Sequence, residues 1–177
     1  MNSASFALDT EPATLALGAA LARTAPRSAS AALTIFLQGE LGTGKTTLAR
    51  ALLRELGVAG TVRSPTYTLI EKYELADWQV LHLDLYRLRD ATELEHLGLR
   101  DELRAAVLVL IEWPERAPLG LPIPDLRILL SAVQVGDPAM CSDVRRAHLD
   151  AETLAGRQWL SDMSALYPPR NEQNKQL

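Results

Sequence analysis

Leu33-Thr34-Ile35-Phe36-Leu37-Gln38 runs into Gly39-Glu40-Leu41-Gly42-Thr43-Gly44-Lys45-Thr46 and then Thr47-Leu48. A glycine, four residues and then Gly-Lys-Thr satisfy the phosphate-loop pattern. The flanks agree with it. Leu33, Ile35, Phe36 and Leu37 form the short apolar run of a buried parallel strand. Leu48, Ala49, Ala51, Leu52, Leu53 and Leu56 recur at helical spacing, and Gly57 is a natural helix stop. Strand, glycine loop and helix therefore stand in the required order. Phosphate oxygens need converging backbone N–H groups, and glycines let the chain curl round an anion with no Cβ in the way. The helix N-terminus adds unpaired N–H groups and a favourable dipole end. Lys45 is the candidate for the β- and γ-phosphates, and the Thr46 hydroxyl is a candidate Mg²⁺ ligand.

A chain of 177 residues fits one domain with a real core. Hydrophobic residues at 47% and charged residues at 23% are those of a globular protein, and a net charge of −4 argues against a broad nucleic-acid or anionic-membrane footprint. Cys141 is the single cysteine, so no intramolecular disulfide forms and no cysteine metal cluster is spelled out. No stretch reaches the ~18 apolar residues of a membrane span. No basic region followed by an apolar core opens the chain, so a cytoplasmic location is expected.

Along the chain, residues 1–10 suggest an edge strand, and Asp9 or Thr10 caps a helix from Glu11-Pro12 to about Thr24. Thr68 to Tyr73 and Trp78 to Asp84 read as a hairpin. Asp90 and Thr92 cap a short helix that Gly98 stops, and Leu99 to Leu103 adds a further turn. Val107 to Ile111 is a buried strand, Leu119 to Pro124 a proline-rich loop, and Leu126 to Leu130 another strand. Val144 to Leu149 suggests one more, partly exposed. Asp150 opens a final helix to about Leu166 with Leu154, Trp159, Met163 and Leu166 on its apolar side. The expected organisation is one domain over residues 1–167 and a disordered tail over 168–177.

A Mg²⁺–nucleotide site needs an acid at the end of a strand beside the phosphate-loop strand. Glu112 follows five apolar residues, so its carboxylate emerges where ligands sit in open α/β sheets. Asp84 follows Val-Leu-His-Leu, a half-polar strand of the hairpin. Glu112 is the candidate for Mg²⁺, and Asp84 for orienting or deprotonating the attacking water; a cap on the Leu85–Leu88 turn is the other role open to Asp84. Trp113 is a candidate to shield or stack in the site, with a core position as its alternative. Ser64-Pro65-Thr66 reads equally as a turn and as a switch segment sensing the γ-phosphate. His82, His96 and His148 show no metal spacing and read as structural; Arg87 and Arg89 follow Asp84 closely and are within reach of phosphates or a partner, with solvated surface charge the favoured reading.

Taken together, Gly39 to Thr47, Ser64-Pro-Thr-Tyr-Thr-Leu69, His82-Leu-Asp-Leu-Tyr-Arg-Leu88, Glu93-Leu-Glu95 with Gly98, and Ile111-Glu-Trp-Pro114 resemble the TsaE (formerly YjeE) family, in the family's order and over roughly residues 8 to 131. The resemblance implies an α/β P-loop NTPase three-layer fold with a mixed, mostly parallel central sheet flanked by helices. It implies ATP and Mg²⁺ binding with slow hydrolysis, Thr46 and Glu112 at Mg²⁺, Asp84 in catalysis, Ser64 to Thr66 as a switch, and Thr10 or Glu11 near the base. It also implies work with the TsaD–TsaB heterodimer, which modifies the adenosine beside the tRNA anticodon and which hydrolysis resets. The family's late Gly-Arg stretch has no clean counterpart. Here Gly136-Asp137 is followed by Pro138 to Asp143, and basic residues return only at Arg145-Arg146, leaving Arg145 a weak match. Apart from the resemblance, a small-molecule or nucleotide kinase and a non-catalytic nucleotide sensor are the alternatives. Against a kinase, the candidate lid Arg100 to Arg104 is short and mixed in charge.

Overall fold

The structure, a computed structural model, describes residues 1–26, 31–62, 64–65, 67–76, 79–89, 93–94, 98–103, 106–135 and 142–169. Its strands are β1 (Ser3–Leu8), β2 (Leu33–Gln38), β3 (Ile70–Glu74), β4 (Gln79–Asp84), β5 (Val107–Glu112), β6 (Leu126–Val135) and β7 (Ser142–Ala151). They make one sheet in the order β1-β7-β6-β2-β5-β4-β3. The neighbours β6, β2, β5 and β4 are parallel, while β3 and β7 run against them. β1 is antiparallel to β7 and so shares the direction of the central four. The sheet is mixed and mostly parallel, as expected.

Helices α1 (Glu11–Thr24), α2 (Lys45–Glu55) and α3 (Leu154–Leu166) share one core with one face of the sheet. Leu17 and Leu21, Leu48 and Leu52, and Trp159 and Met163 bury against Ile35, Leu37 and Ile128. Thr10 caps α1, its hydroxyl accepting from the Ala13 N–H at 3.3 Å. The fully buried Trp159 donates its indole N–H to the Leu21 carbonyl at 3.0 Å, fastening α3 to α1. Phe36, Leu81, Leu83, Val109 and Ile111 face the other way and are covered by Leu85, Leu88, Leu94, Leu99 and Ala117. Among the described residues this second layer is loop, a short helix Leu99–Glu102 and a 3-10 turn Pro114–Arg116.

Two expectations need correction. Asp150 does not open the last helix, since it pairs with Ser3 and Arg127 within β7. Thr153 caps α3 instead, accepting from the Gly156 N–H at 3.0 Å. Consequently the apolar face of α3 is Trp159, Leu160 and Met163, with Leu154 78% and Leu166 52% exposed. The β3–β4 hairpin forms as expected, but β4 is as interior a strand as β5. All six of its residues are buried, and β5 flanks it in parallel register. Asp90, Thr92, Thr66, His96, Cys141 and the tail from residue 170 lie outside the described residues.

Candidate functional site

The loop from Gly39 to Gly44 leaves the carboxyl end of β2 and enters α2. Gly39 has φ +128°, and a Cβ there would stand 2.1 Å from the Leu130 carbonyl oxygen of β6, so only glycine fits. Gly42 and Gly44 also take positive φ, and the latter is the cap residue of α2. A Cβ on Gly42 would meet nothing within 4 Å, so it is the positive φ there that favours glycine. Thr43 steadies the turn through its hydroxyl on the Glu40 carbonyl at 2.8 Å.

Lys45 is 5% exposed. Its ammonium donates to the Gly39 and Glu40 carbonyls at 2.6 and 2.8 Å and sits 3.7 Å from the centre of the Trp113 ring. Burial pushes the ammonium below its ordinary range; the carboxylates of Glu112, Glu115, Asp84 and Glu40 pull the other way. Trp113 holds left-handed backbone, φ 60° and ψ 47°, an outlier for so bulky a residue. Its N–H bonds the Leu37 carbonyl at 3.1 Å, and its ring meets Tyr86 at 4.9 Å. Strain of this kind costs about 1–3 kcal/mol and collects at functional sites.

Period-two alternation turns His82 and Asp84 of β4 and Glu112 of β5 to the face that carries α2, while Leu81, Leu83 and Ile111 point away. The Thr46 hydroxyl donates to Glu112 Oε2 at 2.9 Å. His82 Nε2 lies 2.9 Å from Glu112 Oε1, and both side chains are all but fully buried. Asp84 is the register partner of Glu112. Its Oδ2 accepts from the Ser64 hydroxyl at 2.5 Å and its Oδ1 from the Tyr86 N–H at 3.1 Å.

These groups converge on a cavity of about 420 Å³. Loop and helix residues Leu41, Gly42, Gly44, Lys45, Thr46 and Thr47 line it together with Arg50, Ser64, Asp84, Tyr86, Arg87, Glu112 and Trp113. The donor set fits a hydrated divalent cation. Thr46 Oγ1 and Glu112 Oε2, hydrogen-bonded at 2.9 Å, are hard oxygen donors of the kind Mg²⁺ or its waters take. The glycine cradle and Lys45 fit a polyphosphate beside it. Glu11, proposed for the base, is exposed in the first turn of α1 and does not line the cavity. That helix meets the loop one turn later, where Thr14 Cγ2 is 3.9 Å from a Cβ built on Gly44.

Residues 8–137 match the family described as Threonylcarbamoyl adenosine biosynthesis protein TsaE. The chain belongs to the TsaE family. It is 40% identical over 133 residues to the tRNA threonylcarbamoyladenosine biosynthesis protein TsaE of Haemophilus influenzae, covering 75% of this chain and 79% of that one. The protein of the same name in Streptomyces coelicolor is 39% identical over 135 residues, covering 75% and 87%. The crystal structure of Bacillus subtilis YdiB superposes with a TM-score of 0.65 at 22% identity, over 93% and 95% of the two chains. That likeness supports the P-loop NTPase-like architecture.

Three parts of this TsaE-family site escaped the reading of the residues. His82 is no bystander, because it grips the carboxylate of Glu112. Thr14 is 1% exposed, and its hydroxyl has no partner among the described residues although it stands next to the loop. Arg145, a weak match in sequence, is brought by β7 to within 3.9 Å of a Cβ built on Gly44. Arg87 is exposed, as solvated charge would be, and also lines the cavity, with its guanidinium 4.4 Å from the centre of the Tyr67 ring. Only pairing across the sheet and the loop brings these residues together.

Proposed function

We propose that this chain binds Mg–ATP in the cavity and hydrolyses it slowly. On this reading it serves in the cytoplasm to reset the TsaD–TsaB heterodimer that installs threonylcarbamoyl on the tRNA adenosine beside the anticodon. The observation that carries the reading is the placing of Thr46, Glu112 and Asp84 on one side of an open glycine cradle. The membership of the TsaE family supports the pathway.

Bound Mg–ATP supplies the γ-phosphoryl group and neutralises charge between the β- and γ-oxygens. The chain does the rest. The Gly39–Gly44 backbone and Lys45 hold phosphate oxygens, and Thr46 and Glu112 hold the ion or its waters. Asp84 orients a water and takes its proton. Through its hydroxyl bond to Asp84, Ser64 ties the segment after α2 to the catalytic carboxylate, as a switch would require.

Steady-state ATP hydrolysis by the pure chain, alone and with a TsaD–TsaB pair added, tests this. A low basal rate that changes on adding the pair is expected. No response to the pair, with phosphate passing instead to a small acceptor, would overturn the reading in favour of a kinase.

A further inference from the structure

We propose that His82 is a positioning residue that aims Glu112 at the metal, an inference that rests on the Mg–ATP reading above. Glu112 is 1% exposed, and a carboxylate buried so deeply needs donors on both oxygens to hold one orientation. Thr46 serves Oε2 and His82 serves Oε1. A carboxylate only accepts, so the hydrogen lies on His82 Nε2 and the histidine donates.

The ring is fully buried, and Nδ1 has no partner among the described residues. A histidine kept only for packing would be matched by an apolar side chain at lower desolvation cost. The contact to Glu112 is what the imidazole supplies. The sheet explains the reach. His82 pairs with Leu110 and so stands one pleat behind Glu112 on the same face. From there its ring spans to Oε1 and leaves Oε2 turned toward Thr46 and the cavity. Without that donor the carboxylate is free to rotate, and the 2.9 Å spacing between Thr46 Oγ1 and Glu112 Oε2 is no longer enforced. Donors behind a ligating carboxylate typically change metal affinity by roughly 10–100-fold.

The experiment compares the full chain with His82→Leu and His82→Gln, the amide nitrogen of glutamine lying close to the place of Nε2. Mn²⁺ affinity is read by electron paramagnetic resonance in the presence of a non-hydrolysable ATP analogue. Affinity for the analogue without metal and the thermal melt are measured beside it. His82→Leu is expected to weaken Mn²⁺ binding by roughly 10–100-fold, with metal-free analogue affinity unchanged, and His82→Gln to recover most of the loss. Wild-type Mn²⁺ affinity in His82→Leu overturns the proposal. So does an equal loss in a folded His82→Gln, which would make the imidazole a packing element. Failure of the wild-type chain itself to bind Mn²⁺ with the analogue would overturn the metal assignment of Glu112, and the role of His82 with it.

Discussion

Asp84 and Glu112 end adjacent parallel strands as register partners, each with its own hydrogen-bond donors. Glu112 is held by Thr46 and His82, and Asp84 by Ser64 and the Tyr86 backbone. Neighbouring strands lie ~4.8 Å apart, so two buried acids stand close and each has separate donors fixing its direction. On the proposed reading this separate bonding suits separate work, one carboxylate for the ion and one for the water.

Asp84→Ala is therefore expected to leave ATP binding in place while the hydrolysis rate falls by roughly 10²-fold or more, the size of a lost general base. Single-turnover hydrolysis with bound ATP checks it. An unchanged rate would remove Asp84 from the mechanism.

Lys45→Ala is expected to abolish tight ATP binding, because no other residue of the Gly39–Thr47 loop carries a positive charge. Calorimetric titration is the check, and retained micromolar affinity would sink the phosphate-loop assignment.

How far this was readable beforehand depends on where the partners of each residue lie. Gly39 to Thr47 was legible because strand, loop and helix are contiguous, and periodicity works within such a span. Glu112 was legible because five apolar residues announce an interior strand. Asp84 is harder to read as the end of an interior strand, because Gln79 and His82 count as polar in an alternation pattern, although both are buried. Gln79 bonds Glu74 at 2.6 Å and His82 bonds Glu112, and neither partner can be found by spacing. Asp150 was mistaken for a helix start because an aspartate before a helical pattern is a good cap; β7 simply continues past it to Ala151. Arg145 reaches Gly44 through the β7–β6–β2 order, a relation between residues a hundred apart.

The depressed proton affinity of Lys45 gives a pH prediction. Burial holds it below the ordinary lysine value of 10.5, so the ammonium loses its proton earlier than a free lysine as pH rises. Burying the charged form weakens the fold below that lowered value, and the penalty fades as pH climbs toward 10.5. Phosphate binding needs the protonated form, so affinity for metal-free ATP should begin to drop on the alkaline side before ordinary lysine titration. Calorimetry from neutral pH upward checks this; affinity flat through the whole range below 10.5 would refute it.

Gly156→Ala should destabilise the chain. Its new Cβ would stand 2.0 Å from the Asp125 carbonyl oxygen, a backbone atom that cannot swing aside. Asp125 also accepts from the Thr34 N–H of β2 at 2.8 Å and from the Thr153 hydroxyl, so pushing it disturbs the α3 cap and the central strand together. Overpacking of this kind costs about 1–3 kcal/mol, or about 2–4 °C of melting temperature per kcal/mol at this size. A thermal melt that matches wild type would show that the contact relaxes freely.

The family match stops at residue 137, but the sheet does not. β7 covers β6 along its whole length, from the Leu126–Ala151 pair to the Val135–Ser142 pair, and Trp159 is clasped to Leu21 beyond it. A chain trimmed to the matched span would keep every loop residue and still bare a ten-residue run of unpaired backbone on β6. Such a bare edge templates pairing with another molecule. Insolubility of a shortened protein would then reflect self-association at β6, with the Gly39–Thr47 loop itself intact in sequence.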